Sequence, residues 1–251
     1  MYRGFNLLTT GNPFAQYVVD GEHPHRLNKA RVQSSLEAFK DANGAVVASK
    51  LTAEWFPSFS SHVFISHSHR DSKLAIGLAG LLQYHFEISS FIDSCAWGYS
   101  EDILKIVDDE YCYQHTSGTY NYKKRNRSTA HVHMMLVAAI TQMLAGCECV
   151  IFLNTPQSIN PGYDISGQTT ESPWIFAEIA MTKLIQTRSP DDHRRMLKSE
   201  AAALDESLRI RHPVSLGHLE ELTVDDLKRW VRSPSVSTGP EALDRLYAMK
   251  S

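Results

Sequence analysis

Apolar positions along the chain change their period several times, and the changes mark out successive elements. His62–Ser66 is a short, β-rich apolar run, followed by a polar loop at His67–Asp71. Leu74, Leu78, Leu81 and Leu82 then recur at helical spacing. Ile88–Asp93 reads as a second strand, Ser94–Ser100 as a loop carrying Trp97-Gly98, and Asp102–Cys112 as a helix striped by Ile103, Ile106 and Val107. After an interruption at 113–130, the spacing predicts a helix from about His131 to Ala145, with Val132, Met135, Leu136, Ala139, Ile140 and Met143 on one side. Cys149–Asn154 is almost wholly apolar, as expected of a strand covered on both faces. The loop Thr155–Glu171, rich in proline and glycine, leads to another helix at Ser172-Pro173.

The two ends are less regular. Leu27–Lys40 has helical spacing at Val32, Leu36 and Phe39, Asp41–Gly44 is a turn, and Ala45–Ala48 is a short strand candidate. Beyond Gln186 the pattern predicts a charged helix at Asp191–Leu208 and short strands at Arg209–Arg211 or Pro213–Leu216. A helix at Thr223–Val231 and a turn or two within Pro240–Met249 follow. Alternating strands and helices imply an α/β fold, a doubly wound, mostly parallel sheet. The expected divisions are an N-terminal extension at 1–58, a main domain at 59–232 with an insertion at 113–130, and a tail at 233–251. Such sheets bind ligands outside the carboxyl ends of their strands. That gathers the loops Ser66–Asp71, Asp93–Ser100 and Thr155–Pro173 at one edge.

Composition narrows the function classes. The chain of 251 residues is 43% hydrophobic and 21% charged, ordinary for a globular domain. A net charge of −3 gives no general attraction to nucleic acid or anionic membrane. Its longest apolar runs, Met134–Ile140 and Cys149–Leu153, are far shorter than a membrane span, and Met1–Asn6 lacks the character of a signal peptide. The expectation is a cytoplasmic protein with neither membrane nor nucleic-acid partner. Tyr113, Tyr120 and Tyr122 surround the basic run Lys123–Arg127, a pattern that can hold phosphates or bases; a solvated surface loop is the commoner reading.

Cys95, Cys112, Cys147 and Cys149 are too sparse for a disulfide scaffold and read as reduced thiols. Cys147-Glu148-Cys149 reads as alternate residues sharing one face ahead of a strand, and His67-Ser68-His69 and His131-Val132-His133 lack the spacing of a zinc module; no metal is expected, and metal binding stays a weak alternative. There is no Gly-rich phosphate loop with its lysine, no dinucleotide fingerprint and no nucleophile elbow.

The helix at Ser172 carries the candidate chemistry. Proline is tolerated in a first turn, and Ser172 can cap it. Trp174 and Glu178 then lie about 6 Å apart along the axis, on one face. Taken together, His62–Ser68, Phe91–Asp93 with its glycine-containing loop, and Cys149–Asn154 resemble the first three strands of a Toll/interleukin-1 receptor (TIR) domain. Trp174-x-x-x-Glu178 resembles the tryptophan-to-glutamate motif of prokaryotic TIR enzymes. The similarity runs from about residue 60 to 186 and extends more weakly to 232. Two features depart from it: the 113–130 insertion with the helix 131–145, which separate the second and third strands by more than a compact TIR domain needs, and histidines at 67 and 69 where related enzymes often show Tyr or Arg.

The resemblance implies cleavage of NAD+ at the nicotinamide–ribose bond, giving nicotinamide and ADP-ribose or a cyclic isomer. NAD+ is then the substrate, and no resident cofactor is implied. Glu178 would be the catalytic carboxylate, with Trp174 bordering its pocket. Ser66 and His67 would contact the nicotinamide end, while Asp93, Trp97 and Gly98 would belong to a loop closing over it. The same resemblance implies self-association through TIR surfaces. It also implies a bacterial antiviral setting of the Thoeris type, in which a nucleotide messenger reaches a separate effector. A non-catalytic TIR docking module is the rival reading, and a nucleoside deoxyribosyltransferase-like hydrolase a third.

Overall fold

Five parallel strands form the central sheet in the order β3-β2-β4-β1-β5. They are β1 (Arg3–Leu8), β2 (Val63–Ser66), β3 (Ser90–Phe91), β4 (Cys149–Asn154) and β5 (Glu220–Thr223). The structure is a computed structural model; it describes residues 1–26, 36–43, 46–58, 60–92, 94, 100–159, 169–170, 172–185, 187–191, 194, 212–213, 217–233 and 238–250. Among these, eight α-helices flank the sheet: α1 (Val18–Arg26), α2 (Ala48–Trp55), α3 (Ser72–Phe86), α4 (Ser100–Tyr111), α5 (Tyr122–Gly146), α6 (Pro173–Leu184), α7 (Val224–Val231) and α8 (Glu241–Met249).

β4 explains the two-sided packing. Successive strand residues point to opposite faces, and all six residues of β4 are buried. Cys149, Ile151 and Leu153 join Phe5, Leu7, Val63 and Ile65 in a core closed by α3, α7 and α8. Val150 joins Phe64 and Phe91 beneath α2, α4 and α5, while Phe152 packs with Ile175 and Ile179 of α6. The α/β class with helices on both faces of a parallel sheet is therefore present.

The ends of the chain are more integral than their patterns suggested. β1, within the expected extension, pairs with β4 along its whole length, from Arg3 opposite Cys149 to Leu8 opposite Asn154. Its signal is weak because Phe5 and Leu7 are apolar on one face while Gly4 and Asn6 occupy the other. The chain then crosses α3 at very close range. A Cβ on Gly80 would lie 1.9 Å from the Tyr17 carbonyl oxygen, and one on Gly21 would lie 2.0 Å from that of Ile76. Only glycine permits this approach. At the other end, Ala242, Leu243, Leu246 and Tyr247 of α8 enter the core. Trp230 donates to the Ala242 carbonyl at 3.1 Å and stacks on Phe86 with centroids 4.0 Å apart. β5 reads Glu-Glu-Leu-Thr and was not expected as a strand; only Leu222 of it is buried.

Other expectations change in detail. Val46 makes a single bridge to Lys40, and Ala48 begins α2 instead of ending a strand. The interruption after α4 holds a small antiparallel hairpin, Tyr113–Gln114 against Thr119–Tyr120. The basic run is not a loop but the opening of α5, which starts at Tyr122, ahead of the expected helix start at about His131. Asn121 caps it by accepting the Lys124 N–H at 3.1 Å, and buried Asp108 fixes it by binding Arg125 at 2.7 Å and accepting from Ser128. α5 is long and apolar enough, by length and composition, to cross a membrane. Here Val132, Leu136, Ala139, Ile140, Met143 and Leu144 are buried in the core. Most of the expected helix at 27–40 and of that at 191–208 lies outside the described residues; Leu36–Phe39 forms a short 3-10 helix.

Candidate functional site

From β2 the chain passes to β3 on one side and returns to β4 on the other. The crevice outside the carboxyl ends of β2 and β4 is thus a switch point of the sheet, the usual ligand position in open α/β folds. Ser66 is the last residue of β2 and lies opposite Phe152. It shares the face of Phe64, the side covered by α6.

α6 is set down at this edge by its own sequence. Ser172 caps it, accepting the Ile175 N–H at 3.3 Å, and Pro173 occupies the first turn, as the pattern predicted. Ile175 and Ile179 pack on Phe152, which orients the buried side of the helix; Glu178 and Thr182 belong to that side. The result is direct contact: Ser66 Oγ donates a hydrogen bond to Glu178 Oε2. Both residues are buried, Ser66 2% exposed and Glu178 3%. Thr182 Oγ1 bonds His218 Nε2 at 2.8 Å, tying the same helix to the segment before β5.

The other expected site residues divide. His67 is buried beside Ser66, but its ring is engaged elsewhere. Nε2 lies 2.9 Å from Ser94 Oγ and Nδ1 3.3 Å from the Ile65 carbonyl, which suits a proton on Nδ1 and an acceptor at Nε2. Trp174 is half-buried and packs against the apolar cluster beneath α5. Asp93, Trp97 and Gly98 lie outside the described residues.

Two groups of residues were not anticipated. Thr155 Oγ1 donates to Asp71 Oδ2 at 2.6 Å, and it accepts the N–H groups of Gln157 and Ser158 at 3.1 and 3.2 Å. Ser158 Oγ donates back to the Leu153 carbonyl at 2.8 Å. These bonds lock the loop after β4 to the start of α3. Thr155-x-x-Ser158 directly after a strand is the signal, a side chain closing a turn on its own backbone. The second group is Asn6 and Asn154. Both lie on the α6 face by strand alternation, and among the described residues Asn6 Oδ1 and Asn154 Nδ2 are buried without a hydrogen-bond partner. Unpaired buried polar atoms are costly, and a bound ligand is one way to satisfy them.

The three described cysteines belong to the core; Cys95 lies outside the described residues. Cys112, Cys147 and Cys149 are free and buried, and burial pushes the Cys147 thiol up to about 12. Such thiols are protonated packing groups. No family model, curated protein or solved structure matches this chain.

One face of the sheet, at its carboxyl edge, therefore carries a carboxylate bonded to a hydroxyl and two amide side chains with unused hydrogen-bonding capacity. That set can orient a polar ligand and stabilise positive charge developing next to Glu178.

Proposed function

We propose that the protein is a TIR-like enzyme that cleaves the nicotinamide–ribose bond of NAD+, with Glu178 as its catalytic carboxylate. The observation that carries this reading is the Ser66–Glu178 hydrogen bond at the switch point. It joins the end of the strand that resembles the first TIR strand to the helix after the strand that resembles the third. Strand order lends support as well. Counted from β2, neighbours run second-first-third, as in flavodoxin-like sheets, and the N-terminal β1 fills the place beyond them.

The chemistry suits a single carboxylate. The C1′–N bond breaks with its electron pair moving to the pyridinium nitrogen, so nicotinamide leaves neutral and needs no proton. The ribose is left as an oxocarbenium-like cation. A fixed negative charge in a water-poor site stabilises that cation more than it stabilises the ground state. Ordinary glycosides differ, because their leaving oxygen must be protonated by a second carboxyl. Ser66 fixes one Glu178 oxygen, so little reorganisation is needed as charge develops. Water then attacks C1′ and loses a proton to give ADP-ribose, or an adenine nitrogen attacks to give a cyclic product. In the setting implied by the resemblance, that product is a defence messenger.

One observation favours a second reading, a non-catalytic TIR module: a glutamate only 3% exposed and bonded to a neighbouring serine also suits a structural role. Chromatography of NAD+ incubated with the purified protein separates the two. The enzyme reading requires nicotinamide release that Glu178→Gln abolishes; the docking-module reading requires none.

A further inference from the structure

A cavity of about 480 Å³ opens between α2, α4 and α5, and neither Ser66 nor Glu178 is among its lining residues. Val46, Leu51, Val107, Val132 and Met135 make its walls. Its volume lies within the range of small-molecule sites, and its walls are chiefly aliphatic. A flexible methionine lets such a wall adapt to an unbranched chain.

The polar groups are placed unevenly. Lys124, Arg127 and His131 also line the cavity, and all three are exposed, so they stand at its mouth. They are spaced on α5 at positions that share one face with Val132 and Met135, the helix geometry bringing base and apolar wall together. Among the described lining residues there is no carboxylate. Asp108, next to Ser128, is already bound by Arg125 at 2.7 Å. Among the described residues neither Lys124 nor Arg127 has an ion-pair partner. An apolar chamber with two unpaired cations and an imidazole at its mouth complements an apolar chain ending in an anionic head.

We propose that this cavity binds an amphiphile with an unbranched alkyl chain and an anionic head, either a carboxylate or a phosphate. The chain lies along Leu51, Val107, Val132 and Met135, and the head meets the Arg127 fork and Lys124. Both head groups accept paired hydrogen bonds from a guanidinium. The site is independent of the proposed NAD+ chemistry.

Titration calorimetry of the full chain with decanoate, decyl phosphate and decanol tests it, with thermal melting alongside. Decanoate or decyl phosphate is expected to bind and raise the melting temperature, and the tighter of the two identifies the head group. Decanol, matched in chain but uncharged, is expected to bind at least about tenfold more weakly, the worth of one charge-assisted hydrogen bond. Arg127→Glu and Lys124→Glu lie on the exposed surface and leave the core intact; each is expected to weaken the anions about tenfold or more without affecting decanol. Ala48→Trp, also at an exposed lining position, is expected to block all three ligands. The proposal is overturned if neither anion binds, if decanol binds as tightly as the anions, or if Ala48→Trp binds them like the wild type.

Discussion

Ser66 Oγ donates to Glu178 Oε2, joining the end of β2 to a helix 112 residues further along the chain. The bond is buried at both ends, so it fixes where one carboxylate oxygen points. A hydrogen bond to a charged group contributes about 1.5–3 kcal/mol. Ser66→Ala keeps the carboxylate but removes this constraint on its Oε2. Steady-state kinetics on NAD+ are expected to show kcat falling about tenfold to a hundredfold, with KM changed far less. An unchanged kcat would mean that the orientation of Glu178 does not matter to the reaction.

Asn154 offers a separate test of the same crevice. Its Nδ2 is buried and has no partner among the described residues. Replacing such a group with an apolar one of similar shape is close to neutral for stability. Asn154→Leu is therefore expected to melt at or above the wild-type temperature while KM for NAD+ rises about tenfold, the worth of one good hydrogen bond. A normal KM would remove Asn154 from the substrate site.

Much of this arrangement was legible in the chain because strong local patterns coincide with the core. β4 is a continuous apolar run, and Ser172-Pro173 announces the start of α6. These two features placed Glu178 at the correct edge of the sheet. β1 was hidden because glycine and asparagine alternate with its two core residues, and β5 because it begins with two glutamates. Each strand is recruited by its neighbours and not by its own periodicity. The basic opening of α5 was read as a loop because its helix is held by a cap and by Asp108, contacts with no apolar period. The Asp71–Thr155 bond spans 84 residues and leaves no mark in local spacing.

The close crossing of the N-terminal segment over α3 shows that residues 1–26 fold with the sheet. Gly80→Ala would place a methyl carbon 1.9 Å from the Tyr17 carbonyl oxygen, so the backbones must part. Overpacking of this kind costs about 1–3 kcal/mol. Urea unfolding is expected to show one cooperative transition at lower midpoint. A wild-type midpoint would mean that the crossing is loose and the N-terminal segment separable.

Glu148 is fully buried and forms a paired contact with Arg194, Nε to Oε2 and Nη2 to Oε1 both at 3.0 Å, with Tyr247 donating to it at 3.1 Å. Removing one partner strands the other charge, at a cost of about 3–5 kcal/mol. Arg194→Met is expected to lose that much stability by denaturant unfolding, and adding Glu148→Gln is expected to restore part of it, since the two sites are coupled. Strictly additive losses would contradict the pairing.

The most direct measurement is nicotinamide release from NAD+ by wild type and Glu178→Gln across a range of protein concentrations, with melting temperatures recorded for both. The account predicts release by the wild type, steepening with concentration as self-association proceeds. It predicts no release by Glu178→Gln, with a melting temperature close to that of the wild type. Wild-type protein that releases no nicotinamide at any concentration, or a Glu178→Gln variant as active as the wild type, would contradict it.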